Sequence, residues 1–115
     1  MAESYHEASL HLLEQADTEL IAGDFRQAAE KAWGAAAQIT KAVCIKRGWS
    51  HQSHAALRRA NKRLADELGD NEIRLLFTAA QNLHKNFYGD FYNEAEVSVG
   101  IRDVHQLIEK LRPLA

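Results

Sequence analysis

The sequence predicts an all-α fold, an up-and-down bundle of about five helices forming one domain over residues 1–115. Apolar residues recur at helical spacing in five segments, and no segment shows the alternation of a strand. A glycine follows each of the first four segments, where helices commonly end in a left-handed residue. These four glycines are Gly23, Gly48, Gly69 and Gly89. A chain that is 46% apolar can bury a core without disulfides or metals.

The first two segments predict a long helical hairpin. Helix one, from about Ser4 to Ala22, carries one apolar stripe and a solvated acidic side. Asp24 is placed to cap helix two, with Gln27 three residues later. The inner stripe of helix two is mostly alanine, which lets neighbouring helices approach closely and favours a central position for this helix.

The other three helices are shorter. The inner face of helix three is predicted to carry Leu57, Asn61, Leu64 and Leu68. The opposite face carries Arg59, Lys62 and Arg63. Helix four places Ile73, Phe77, Ala80, His84 and Phe87 in line. The last helix begins near Asn93, with Glu96 as its capping partner, and Pro113 ends it. The short connections between the segments favour antiparallel neighbours.

The charge distribution narrows the kind of partner. No carboxylate lies between Glu30 and Asp66, a stretch that carries eight lysines and arginines, although the chain as a whole has a net charge of −2. A basic middle between acidic ends attracts an anionic partner by long-range steering. The pI of about 6.3 argues against a general nucleic-acid coat.

Cysteine usage and hydropathy indicate the cellular location of the protein. The single cysteine, Cys44, cannot form an internal disulfide and is expected to be a small core residue. We expect a cytoplasmic protein, because the N-terminal residues lack the basic segment and apolar run of a secretory signal. We expect no membrane association, because no apolar stretch approaches the roughly 20 residues of a membrane helix.

The candidate anion- or nucleotide-binding residues combine cations, imidazoles and aromatic rings, which can hold a phosphate and stack a base. They are Lys46, Arg47, Trp49, His54, Arg59, Lys62, Arg63, His84, Lys85 and Tyr88. Each of these residues also has an interpretation that involves no ligand. The basic face of helix three would then be a solvated surface, Trp49 would close over the core, and His84 would be a core residue. Arg58 is expected nearer the buried edge, paired with a carboxylate of another helix. No cofactor is expected and no metal, since His51 and His54 lack a third ligand nearby.

Two stretches resemble a known family. Gly23-Asp24-Phe25, followed by Gln27-Ala28-Ala29-Glu30-Lys31-Ala32, resembles the second-helix signature of the HEPN superfamily. Leu83-His84-Lys85-Asn86-Phe87-Tyr88 resembles its paralogous-repeat (PaREP) branch, known largely from archaea. The resemblance spans nearly the whole chain and rests mainly on the order of these pieces.

The resemblance implies a helical bundle, usually a homodimer, associated with nucleotides, RNA or a partner nucleotidyltransferase. Many HEPN members are toxin ribonucleases, with an arginine four to six residues before a late-helix histidine. Here that histidine would be His84, a weak catalytic candidate, and Phe77, Thr78 and Ala79 stand where the arginine should be. Arg74 is ten residues upstream, about 15 Å along a helix. The resemblance therefore implies a binding protein more than an enzyme.

Three functions stay open on the sequence. The first is a non-catalytic homodimer that binds a nucleotide, RNA or a partner protein, with the aromatic cluster Phe87, Tyr88, Phe91 and Tyr92 as one candidate for the subunit contact. The second is a diverged ribonuclease using His84. The third is a tetratricopeptide-like interaction module, suggested by Gly23 to Ala36, although no second repeat copy is present.

Overall fold

The computed structural model describes residues 2–89 and 93–115, with side chains described for residues 4–85 and 93–115. The described chain is a bundle of five α-helices. They are α1 (Ala2–Ala22), α2 (Phe25–Arg47), α3 (His54–Leu68), α4 (Glu72–Gly89) and α5 (Glu94–Leu111), with a short 3₁₀ turn at Arg112–Leu114. The predicted all-α fold is confirmed, and no strand occurs in these residues.

Caps confirm the predicted starts of α2 and α5 and the predicted ends of α2 and α3, whereas Gly89, predicted to follow helix four, is the last residue of α4. Asp24 Oδ1 accepts from the Gln27 amide at 3.1 Å, and Asn93 Oδ1 accepts from the Glu96 amide at 2.8 Å. Gly48 and Gly69 end α2 and α3 in the left-handed conformation, with φ of 71° and 63°. α5 ends at Leu111, just before Pro113.

Helix α2 lies at the centre and contacts the other four helices and the 3₁₀ turn. Its extensive contact with α1 forms the predicted hairpin. A fully buried hydroxyl, Ser9 Oγ, donates to the Ala35 carbonyl at 2.6 Å across this contact. Small side chains fill most of the buried surface of α2: Ala28, Ala29, Ala32, Ala35, Ala36, Ala37, Ala42 and Cys44. Burial raises the pKa of the Cys44 thiol, as expected for a core cysteine.

A buried side-chain hydrogen bond fixes the rotation of α3 about its own axis. Asn61 Nδ2 donates to Thr40 Oγ1 on α2 and to the Leu57 carbonyl, both at 3.1 Å. Thr40 uses its own proton on the Ala36 carbonyl, so it can only accept from Asn61. With Asn61 facing inward, Arg59 and Arg63 point outward, about 200° away around the helix. Leu68, expected on the inner face, is 48% exposed at the last residue of α3.

The predicted aromatic cluster near the end of α4 lies outside the residues whose side chains are described. Phe91 and Tyr92 lie outside the described residues, and the side chains of Phe87 and Tyr88 are also outside them. In the described part of the chain, no helix is long and apolar enough to cross a lipid bilayer.

Gly100 is predicted to be required for the packing of α5 on α4. A Cβ at this position would lie 2.6 Å from Leu83 Cδ2 and 2.9 Å from its Cγ. We expect Gly100→Ala to lower the free energy of unfolding by roughly 1 kcal/mol, since overpacking costs about 1–3 kcal/mol and alanine returns about 1 kcal/mol of helix propensity. Urea denaturation measures the change.

The control is Gly34→Ala in α2, where the new Cβ would lie 3.2 Å from the terminal Leu12 Cδ1. This variant should be as stable as the parent or more stable. Equal loss in both variants would contradict a specific clash at Gly100.

The ion pair between Asp70 and Lys110 predicts a pH dependence of stability. Lys110 Nζ lies 2.8 Å from Asp70 Oδ2, and this hydrogen bond holds the pKa of Asp70 below its ordinary value. The contribution of Asp70 is thus present at neutral pH and is lost as the pH falls through its folded pKa. The same pair raises the pKa of Lys110, so that its contribution is lost only at strongly alkaline pH.

We expect Asp70→Asn to lower the melting temperature at pH 7. The difference from the parent should begin to shrink near about pH 4, the ordinary pKa of an aspartate, and should disappear only below the lowered pKa of Asp70 in the folded protein. Thermal unfolding followed by circular dichroism across this range measures it. A difference that persists undiminished at pH 2.5 would contradict the assignment.

Candidate anion-binding site

The exposed side of α3 carries four cations in two rows. Arg58 and Lys62 are one turn apart on one flank, and Arg59 and Arg63 are one turn apart on the other. All four side chains are exposed, because the opposite side of the helix buries Leu57, Asn61 and Leu64. The predicted basic face of helix three is therefore present, and Arg58, expected near the buried edge, belongs to it.

Asp66 and Glu67 follow these cations on α3, but within the described residues neither pairs with them. In residues 2–89 and 93–115, no ion pair involves Arg58, Arg59, Lys62, Arg63 or the neighbouring Arg74 of α4. Arg58 thus lacks the carboxylate partner that the sequence suggested. A cluster of unpaired like charges repels itself and gains free energy when an anion binds.

Trp49 lies at one end of the outer row. The Arg63 guanidinium carbon is 4.4 Å from the centroid of the Trp49 ring, and that of Arg47 is 5.2 Å from it. Both distances are within the range of cation–π contact. Trp49, Ser50, Arg59 and Arg63 line a cavity of about 420 Å³ beside this stack. Arg47 also forms an ion pair with Glu67, which neutralises it locally.

A second cavity, of about 350 Å³, lies on the other flank of α3, against α4. Arg58 and Lys62 line it from α3, and Arg74, Phe77 and Thr78 line it from α4. Arg59 lines both cavities. The outer face of α3 is therefore a basic ridge with a concave site on each side.

His54 and His84 lie in a separate cluster. Their ring centroids are 5.4 Å apart, and His84 stacks on the buried Trp33 at 5.4 Å with an interplanar angle of 26°. His84 Nδ1 is 3.4 Å from Glu30 Oε1, and the His54 ring meets the edge of Trp33. Glu30, Trp33 and His54 line a third cavity, of about 370 Å³.

The predicted site residues therefore divide into two groups. Trp49, Arg59, Lys62, Arg63 and Arg47 lie along the ridge. His54 and His84 meet around Trp33 instead, and no ring contact joins His54 to Trp49 among the described side chains. The other three predicted site residues are not part of these two groups. Lys46 and Lys85 are exposed, and the Tyr88 side chain lies outside the described residues.

Sequence reasoning missed four residues of these sites: Arg58, Arg74, Glu30 and Trp33. The signal for Arg58 was present, since it is one turn from Lys62 on the same helix. Nothing in the sequence indicated that Arg74 faces that pair or that Trp33 contacts both His54 and His84, because these contacts join different helices. Among the described residues, no three metal-binding side chains converge.

Comparisons with known proteins agree with the fold. A model of the archaeal PaREP1/PaREP8 family matches residues 4–108. The chain is similar to a protein from Sulfolobus solfataricus of known crystal structure, with 27% identity, a TM-score of 0.83, and coverage of 93% of this chain and 95% of that one. No curated protein matches the chain.

Proposed function

The chain belongs to the archaeal PaREP1/PaREP8 family, and we propose that it binds a nucleotide or single-stranded RNA through the cations of α3. The observation that carries this proposal is the ridge of Arg58, Arg59, Lys62 and Arg63, which has no carboxylate partner in the described chain. Phosphate groups are the anions that such guanidinium and ammonium rows bind most effectively.

Trp49 supports a ligand with unpaired bases. A partly exposed indole next to arginines offers the aromatic surface on which single-strand binders stack a base. Contacts to phosphate and to ring faces carry no base identity, so we propose binding without sequence preference.

The wider assembly is part of the proposal. The resemblance to HEPN proteins supports a homodimer and a partner nucleotidyltransferase. Leu68, at the end of α3, and Leu75, near the start of α4, are 48% and 60% exposed and offer apolar surface that a protein contact would cover. The family match over residues 4–108 treats the chain as one unit, which favours a bundle domain over a single tetratricopeptide-like helix pair.

A second candidate function, a diverged ribonuclease, is favoured by one observation. Catalysis by His84 requires a second proton-transfer group, and the fold places His54 beside it, with Glu30 near His84 Nδ1. One imidazole would take a proton from a ribose hydroxyl and the other would protonate the leaving oxygen.

The binding proposal predicts a loss of salt-sensitive affinity in Arg59→Gln/Arg63→Gln. In a fluorescence anisotropy titration with a single-stranded RNA, the slope of log affinity against log salt should be about 1.4 units shallower, since each lost phosphate contact contributes about 0.7. The affinity at low salt should fall by at least about tenfold.

The matched control is Arg102→Gln/Arg112→Gln, which removes the same charge from exposed positions at the end of the chain. This variant should bind as the parent does. Equal loss in both variants would indicate a response to net charge alone, and no binding by the parent at low salt would overturn the proposal.

The ribonuclease candidate predicts that His54→Ala and His84→Ala each lower the cleavage rate by at least about 100-fold, the typical contribution of a general acid or base. Both should keep the helical circular dichroism spectrum, although His84→Ala should lose about 1 kcal/mol of stability with the Trp33 stack. The measurement is cleavage of labelled RNA in the presence of EDTA. Cleavage that is unchanged in both variants would contradict this candidate.

A further inference from the structure

The cavity between α3 and α4 differs in shape from the ridge beside it. Three cations of α3, Arg58, Arg59 and Lys62, line one wall, and Arg74 of α4 lines the facing wall. Its volume of about 350 Å³ lies in the range of small-ligand sites and is close to the lower limit. A convex ridge can follow a chain of phosphates, whereas this half-open cavity has room for one compact group.

The chemistry of the lining favours an anion with more than one charge. The lining has four cations, Arg58, Arg59, Lys62 and Arg74, and no carboxylate, and none of the four forms an ion pair in the described chain. The amide of Asn61 also lines it, but its nitrogen already donates to Thr40 and to the Leu57 carbonyl. The cations, not this amide, are therefore the groups available to an anion.

Two kinds of phosphate differ in how well they match this lining. A phosphodiester within a chain carries one negative charge, and the chain must leave the cavity in two directions. A terminal phosphomonoester carries about −1.5 to −2 charge at pH 7, has three acceptor oxygens and needs one exit. Arginine can bind such a group through two parallel hydrogen bonds.

We propose that the α3–α4 cavity binds a terminal phosphomonoester, with Arg58, Lys62 and Arg74 as its ligands. This inference rests on the proposed function and deepens it, because the phosphomonoester is the end of an RNA or a free nucleotide. In the RNA case, the strand continues from the cavity along the ridge, where Arg59 lines both cavities and leads to Trp49.

The experiment compares four probes by competition or direct titration. Three are the same single-stranded RNA decamer with a 5′-phosphate, with a 3′-phosphate, or with hydroxyls at both ends, and the fourth is AMP with adenosine as its reference. At least one phosphorylated decamer should bind about tenfold more tightly than the unphosphorylated one if the source is an RNA end. AMP should bind at least tenfold more tightly than adenosine if the source is a free nucleotide.

Arg74→Gln tests the site, because Arg74 is exposed on α4 and does not belong to the α3 ridge. The variant should lose the preference for the phosphorylated probe and keep the parent affinity for the unphosphorylated decamer. Arg102→Gln, exposed on α5, is the control and should keep the preference. The circular dichroism spectrum of each variant reports its folding.

The outcomes separate this inference from the proposed function. Equal affinity for phosphorylated and unphosphorylated probes overturns the phosphomonoester site, while salt-sensitive binding of the decamers still supports the ridge. If no decamer binds, the RNA proposal fails, and a preference of the chain for AMP over adenosine that Arg74→Gln removes still supports the cavity. A preference that survives Arg74→Gln overturns the assignment of the cavity.

Discussion

The close packing of small side chains around α2 is the constraint on which the rest of this structure depends. Because its buried positions are mostly alanine, α1 lies near enough for Ser9 Oγ to reach the Ala35 carbonyl, and α3, α4 and α5 also contact α2. Protein interiors tolerate few voids, so larger side chains on α2 would separate these helices. The relative positions of all other helices follow from this one.

The orientation of the basic ridge depends on a single polar link within that arrangement. The hydrogen bond from Asn61 to Thr40 joins α3 to α2 inside the core, where an unpaired amide nitrogen would cost about 1–3 kcal/mol. Any rotation of α3 that moved its cations toward the core would break this bond. The same residue thus stabilises the core and keeps Arg59 and Arg63 in solvent.

The ridge lies on α3 alone, whereas the histidine cluster joins α2, α3 and α4. The two candidate functions therefore have different structural requirements. Binding along α3 depends on charges that lie on one helix and on Trp49 just before it. Proton transfer by His54 and His84 depends on the distances between α2, α3 and α4, because Trp33 positions both rings from the central helix. Changes in helix packing should therefore affect the histidine pair more than the ridge.

The sequence by itself determined the five helices, the caps at Asp24, Gly48, Gly69 and Asn93, and the basic face of α3. These features depend on spacing along one helix and on the few residues that suit helix ends, such as Asp24, Asn93 and Gly69, so local patterns suffice. Only the tertiary structure decided that Arg74 faces Arg58 and Lys62, and that His54 meets His84 and not Trp49. These contacts join residues of different helices, and their distances follow from helix packing, which no single segment encodes.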